Sequence, residues 1–269
     1  AVSVVILPLL PNEAYGPYAA LNPFHIWLMV VLISGVSLAG YVAWRLTRDN
    51  KGLLLTGLLG GLVSSTATTF VYARHAQRGA LPAAHSRIVI VLANCAMLAR
   101  VWLIVLIIAP RAAGAAALVL VPALALAAIP VALPRRAAGP SETAEHDYRN
   151  PANLLTSLLF GAGYAVMLLA SAWLSENFGS RGVYGLAVVS GLTDVDAMTL
   201  SSLRLLNVGT LELAATTMAI AVAVGANLVM KATLVAVFGG TSLRRSGPLS
   251  LLLPLLGLVL GALALRVFV

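Results

Sequence analysis

Apolar runs of roughly twenty residues recur along the whole chain, and that feature leaves few folds open. A helical run of that length matches the ~30 Å hydrocarbon core of a bilayer. Inside hydrocarbon every backbone N–H and C=O must be satisfied internally, so only helices and closed barrels span. The runs show no apolar/polar alternation, which excludes a barrel. Only 10% of the residues are charged, against about 25% in an ordinary soluble domain. The chain therefore reads as all-α, a polytopic transmembrane bundle. Apolar helices are expected at 24–45, 52–73, 87–109, 114–134, 152–175, 182–204, 213–239 and 248–267.

The formal net charge of +8 is not a nucleic-acid footprint. The lysines and arginines sit mostly at the ends of apolar runs, where bilayer topology and anionic headgroups explain them. No basic patch interleaved with aromatics occurs. The single cysteine, Cys95, lies in an apolar run and reads as a small core residue. Residues 1–21 read as the tail of a preceding helix plus a linker, so a longer parent protein is expected. The longest polar stretch, 135–149, reads as an exposed linker.

That linker separates two similar stretches, 22–134 and 150–269, each with four apolar segments. Asn22-Pro23 opens the first and Asn150-Pro151 the second, and Gly35 matches Gly163 at the same spacing. At a spacing of 130, Gly61 faces Gly191, Ser64 faces Asp194, Thr66 faces Asp196, Thr69 faces Thr199, Arg74 faces Arg204 and Gly79 faces Gly209. Arg100 matches Lys231 one step later. Two internal repeats of about 130 residues are expected, a common transporter pattern.

The repeats are parallel or inverted depending on how their second segments run. With four crossings each, flanking cations divide eight against seven, which decides nothing. If 52–73 and 182–204 instead enter and leave on one face, the repeats are inverted. One side then collects Arg45, Arg48, Lys51, Arg74, Arg78, Arg87, Arg135, Arg136, Arg149, Arg244 and Arg245. The other keeps Arg111, Arg181, Arg204 and Arg266. Eleven against four is the asymmetry of a positive-inside topology. Gly60-Gly61 and Ser190-Gly191 mark where those segments would break.

Chemistry concentrates in Gly191-Leu-Thr-Asp-Val-Asp-Ala-Met-Thr199, which puts Asp194 and Asp196 inside an apolar segment. A charge at bilayer centre costs about 2.5–3.5 kcal/mol on insertion scales, so such residues are functional candidates. On an intact helix the two carboxylates point about 200° apart. A break lets them converge, and Asp194 and Ser64 are each placed to cap the half-helix that follows. Asp194 and Asp196 are candidate metal ligands, with hydroxyls from Ser64, Ser65, Thr66, Thr69 and Thr199 completing an oxygen site for a hard cation such as Mg²⁺ or Na⁺. Arg100 and Lys231, deep in their helices, would set the local charge, and Asn94 and Asn227 would complete a polar network. The competing readings are helix packing by small residues and a purely structural charge cluster. His25, His75, His85 and His146 form no metal-spaced cluster, and no phosphate loop or hydrolase motif occurs. Both acids belong to one stretch, so an enzyme is not expected, nor a resident cofactor beyond a bound cation.

Three stretches carry a resemblance: Asn22-Pro23-x-x-Ile26-Trp-Leu-Met-Val-Val-Leu-Ile-Ser-Gly35, Gly60-Gly61-Leu-Val-Ser-Ser-Thr-Ala-Thr-Thr69 and Ser190-Gly-Leu-Thr-Asp-Val-Asp-Ala-Met-Thr199. They resemble an uncharacterised bacterial membrane family whose domain of unknown function commonly follows an MgtC/SapB-type domain. The resemblance implies a multi-pass inner-membrane protein with an MgtC-like domain ahead of residue 1, and it carries over no site residues. The expectation is a transporter or ion-permeation protein for a small inorganic cation, with its site at the repeat interface. A non-transporting scaffold or regulator of the MgtC-associated type and a lipid-handling protein are the alternatives. Membrane lipids, a small ion and further copies of the chain are the expected partners, with no nucleic acid.

Overall fold

The computed structural model describes residues 6–19, 21–24, 26–28, 30–31, 53–79, 81–132 and 154–268. Most of the expected helix 24–45, the linker 135–149 and the Asn150-Pro151 pair lie outside them. The described part of the N-terminal run contains a short 3-10 turn, Leu7–Leu9.

The described elements are helical. They are α1 (Leu53–Gln77), α2 (Ala83–Ile108), α3 (Ala113–Ala132), α4 (Leu154–Gly191), α5 (Val195–Asn207), α6 (Leu213–Phe238) and α7 (Ser246–Phe268), with a single turn at Gly240–Leu243. Among the described residues five helices are long and apolar enough to cross a membrane: Leu54–Gln77, Ala83–Ile108, Pro110–Val131, Leu213–Phe238 and Ser246–Val267. Pro122, Pro130 and Pro254 sit inside α3 and α7, as membrane helices tolerate when neighbours re-satisfy the freed carbonyls. α3 and α7 approach through small residues. A side chain on Gly257 would lie 2.6 Å from the Ala123 Cα, and one on Gly261 would lie 2.6 Å from the Val119 Cα.

Length alone misleads for α1, because its backbone is extended at Ser64 (φ −163°, ψ 102°). Before that residue, Gly57 abuts Val89 and Leu92, and Gly61 abuts Ala93, so the chain runs alongside α2 in the same direction. After it, Asn94 reaches Thr69, and Tyr72, Ala73 and Ala76 pack with Val89 and Ile90. Residues 57 and 73 therefore lie against the same stretch of α2. An unbroken helix would hold them about 24 Å apart. α1 is two half-helices folded back at Ser64.

The chain folds back again in α4, at Gly179 (φ 59°, ψ −153°), a backbone conformation that favours glycine. A side chain on Gly182 would lie 2.8 Å from the Leu174 carbonyl oxygen, where a straight helix separates those residues by about 12 Å. Residues 180–191 then run along α6, with Val188 beside Met218 and Ala221 and Gly191 against Ala223. The backbone extends at Asp194 (φ −149°, ψ 119°), and α5 leads through the short turn 208–212 into the start of α6. The expected segment 182–204 is thus also two half-helices.

Both breaks fall three residues beyond the glycines proposed for them. Gly61 and Gly191 are instead the points of closest approach to the α2 and α6 backbones. The ends of the folded segments lie at opposite ends of the bundle. Gln77 meets the turn at Gly240, and Arg74 lies over the Phe238 ring. At the other end, Arg111 donates to Leu206 O (2.6 Å) and Asn207 donates to Ile108 O (3.0 Å).

Candidate functional site

The two breaks meet at a polar cavity of about 290 Å³. Residues 63–66 form one wall and residues 193–196 the other, with Met97, Arg100 and Asn227 between them. Met97 and Asn227 fall near the midpoints of α2 and α6, so the cavity sits halfway along the bundle's long helices. A larger groove of about 550 Å³ beside Val188, Met218 and Leu258 is almost wholly apolar, and none of the expected polar residues faces it.

Each break caps the half-helix that follows. Ser64 Oγ accepts from the Ala67 amide (3.3 Å), and Ser64 O accepts from Thr68 Oγ1 (2.9 Å). Asp194 Oδ1 accepts from the Asp196 amide (2.8 Å). Ser190 fixes the second turn. Its carbonyl accepts from Thr193 N, Asp194 N and Thr193 Oγ1, and its hydroxyl donates to Asp194 O. Gly79 and Gly209, both at positive φ, end the two half-helices.

Breaking a helix leaves carbonyls without their usual amides, and side chains from the long helices take them up. Arg100 of α2 donates to Leu62 O at 3.0 Å and pairs with Asp196 Oδ2 at 2.8 Å, so one guanidinium ties the first break to α5. Asn227 of α6 donates to Gly191 O at 2.8 Å. Lys231 of α6 is fully buried. Its ammonium donates to Ser65 Oγ (2.7 Å) and Asn94 Oδ1 (3.0 Å) and lies 3.3 Å from Met97 Sδ. The cation of each long helix thus reaches the folded segment of the other half.

The expected residues divide into two sets. Ser64, Ser65, Thr66, Asp194, Asp196, Arg100 and Asn227 line the cavity. Lys231, Asn94 and Thr69 form a connected network behind its wall, with Asn94 Nδ2 donating to Thr69 Oγ1 (3.4 Å) and to Ile90 O (2.8 Å). Thr69 Oγ1 itself donates back to Ser65 O (2.8 Å). Thr199 is fully buried and does not line the cavity. Of the two cations and two carboxylates expected at the site, one pair forms. Arg100 and Asp196 pair, whereas no carboxylate lies within ion-pair distance of Lys231 among the described residues. Met97 escaped the sequence reading, because a methionine in an apolar run reads as core. Its place opposite Asn227 at the 130-residue spacing is the signal that would have found it.

Asp196 Oδ1 and Asn227 Oδ1 are buried in the cavity wall without a hydrogen-bond partner. Both are acceptors, so the arrangement fits a cation or a hydrogen-bond donor. No group of three or more His, Cys, Asp or Glu residues gathers at metal distance among the described residues. Asp194 and Asp196 would need the hydroxyls and Asn227 to complete a shell.

Long apolar helices around a polar cavity define a multi-pass α-helical membrane protein. The chain matches the family described as Domain of unknown function (DUF4010) over residues 31–239, and it belongs to that family. It is similar to an uncharacterized protein of Aquifex aeolicus (strain VF5), with 30% identity over 200 residues that cover 73% of this chain and 86% of that protein. No solved structure matches it.

Proposed function

We propose that the protein is a transporter or ion-permeation protein for a small inorganic cation, and that the cavity between the two breaks is its binding site. The observation that carries this reading is the meeting of two broken helices at one polar cavity inside an apolar bundle. Discontinuous helices at mid-depth are how many transporters build ion sites. The unpartnered acceptors Asp196 Oδ1 and Asn227 Oδ1 and the second oxygen of Asp194 supply the donor set. Hydroxyls of Ser64, Ser65 and Thr66 flank it.

The same reading takes residues 53–77 and 180–207 as re-entrant segments of two inverted repeats. Matched features support duplication: the extended residues Ser64 and Asp194, the close-packed Gly61 and Gly191, and the positive-φ Gly79 and Gly209. The pairing of segment ends supports inversion. Arg74 lies beside Phe238 and Arg111 beside Leu206, so Arg111 shares an end with Arg204 and Arg74 shares the other with Arg244. That grouping is the one belonging to the eleven-against-four division. By the positive-inside rule it supports a cytoplasmic setting for the cation-rich face, in a bacterial inner membrane.

The test is cation flux into proteoliposomes across Li⁺, Na⁺, K⁺ and Mg²⁺, comparing wild type with Asp194→Asn and Asp196→Asn. Flux of at least one cation, reduced at least tenfold by Asp194→Asn in folded protein, is expected. Absence of flux for every ion would favour a scaffold, in which the Arg100–Asp196 pair and the Lys231 network only hold the halves together.

A further inference from the structure

The apolar groove beside Val188, Met218 and Leu258 has no part in the polar cavity, yet it has the size of a binding site. Its volume of about 550 Å³ falls within the roughly 300–1,000 Å³ of ligand pockets. Small residues leave the space: Ala221, Gly225 and Ala226 of α6 and Ala262 of α7. A side chain on Gly225 would lie 3.3 Å from Leu258 Cδ2. Val188 and Leu192, from the half-helix 180–191 and the turn after it, form the remaining wall. Val188, Val229, Val259 and Leu263 are exposed along the groove, so it opens sideways, toward hydrocarbon in a membrane. An empty slot there would forfeit dispersion contacts along its whole lining.

The groove has two unlike ends. On α6 it runs from Met218 to Val229 and on α7 from Leu255 to Arg266, each a rise of about 16 Å. α3 and α7 are antiparallel, because Gly257 meets Ala123 and Gly261 meets Val119, so Arg266 lies at the Arg111 end of the bundle. The other end stops at Val229, just past Asn227 and level with the polar cavity. Half of the ~30 Å hydrocarbon core is about 15 Å, so the groove spans one leaflet, from the interface to the midplane. Arg266 is the one polar side chain among the described residues that line it. An apolar slot one leaflet deep with a guanidinium at its mouth fits an amphiphile, tail inside and anionic head outside. A helix from a second copy would cross both leaflets and match neither the length nor the charge. A guanidinium is suited to hold a phosphate through paired hydrogen bonds. No acidic residue lines the groove to take the ammonium of a zwitterionic headgroup.

We propose that this groove is a binding site for an anionic glycerophospholipid, with one acyl chain lying along it and the phosphate held by the Arg266 guanidinium. The chain packs on Val188 and Leu192, behind the turn whose Gly191 abuts Ala223 and whose Asp194 lines the polar cavity. The lipid thereby braces the second break from its apolar side. The site does not depend on what the polar cavity carries.

Native mass spectrometry of the purified protein in detergent counts the lipid retained when dioleoyl-phosphatidylglycerol and dioleoyl-phosphatidylethanolamine are supplied in equal amounts. Wild type is expected to retain one phosphatidylglycerol per chain in preference to phosphatidylethanolamine. Arg266→Gln should weaken that retention about fivefold, the ~1 kcal/mol of one arginine at an anionic surface. Arg181→Gln removes a cation outside the groove and should leave retention unchanged. Ala226→Phe fills the groove and should abolish it. Equal retention of the two lipids by wild type overturns the site, as does a preference unchanged in Arg266→Gln or lost equally in Arg181→Gln. Retention undiminished in Ala226→Phe overturns it too. A dimer that persists without lipid and is broken by Ala226→Phe assigns the groove to a second copy and rejects the lipid. Should Ala226→Phe fail to fold, Ala262→Phe fills the same groove and decides.

Discussion

Gly191→Ala is the sharpest probe of how the folded segments are held. The added methyl would lie 2.9 Å from the Ala223 Cα and closer still to its carbonyl oxygen. Both are main-chain atoms that no rotamer change can move. Gly61→Ala places a methyl 2.8 Å from the Ala93 carbonyl carbon in the same way. Overpacking costs about 1–3 kcal/mol, and contact with rigid backbone argues for the upper end. Alanine recovers about 1 kcal/mol of helix propensity, leaving a net loss of about 2 kcal/mol. At about 2–4 °C per kcal/mol for a chain of this size, each variant should melt about 4–8 °C below wild type. Gly185→Ala is the internal control. It lies in the same half-helix as Gly191 with nothing within 4 Å of the added methyl, so it should gain about 1 kcal/mol and melt slightly higher. Melting curves in detergent, read by intrinsic fluorescence, supply the comparison. A Gly191→Ala protein as stable as Gly185→Ala would refute close backbone approach as the role of that glycine.

Three further outcomes follow from the same geometry. Arg100→Gln and Asp196→Asn each leave a buried charge unpaired and should cost about 3–5 kcal/mol, while the double variant recovers most of the loss; strictly additive melting shifts would show that the pair is not coupled. Asp194→Asn should hold stability within about 0.5 kcal/mol of wild type, because asparagine caps as well as aspartate, whereas Asp194→Ala should lose about 1 kcal/mol; equal losses in denaturant titrations would argue against the cap. In a Cys95→Ala background, cysteines at Arg78 and Arg245 should react with an impermeant maleimide from one face of the membrane and cysteines at Arg181 and Asn207 from the other. Pairing of 78 with 207 would restore the four-crossing, parallel arrangement.

Most of the helical plan was legible because bilayer thickness sets run length, and helices such as Leu213–Phe238 agree with expectation to within a residue. The candidate site was legible through the 130-residue spacing, which put Ser64 opposite Asp194, both of them extended residues at a helix break. The breaks were misplaced by three residues for a physical reason. Glycine in a membrane helix serves either a bend or a close approach, and sequence alone does not say which. Here the capping oxygens of Ser64 and Asp194 make the bend, and Gly61 and Gly191 make the approach. The partner of Lys231 was illegible for another reason. Depth along a helix follows from residue count, but rotation and lateral position follow from packing, and those turn Lys231 toward Ser65 rather than toward a carboxylate.

The ends of the two folded segments lie at opposite ends of the bundle while their tips share one cavity. Gln77 is seated against the Gly240 turn, and α5 is clasped by Arg111 and by the Asn207 bond to Ile108. Each segment is therefore anchored at its own face, and Arg100, bonded to Leu62 O in one tip and to Asp196 in the other, fastens the two tips together across the cavity they share.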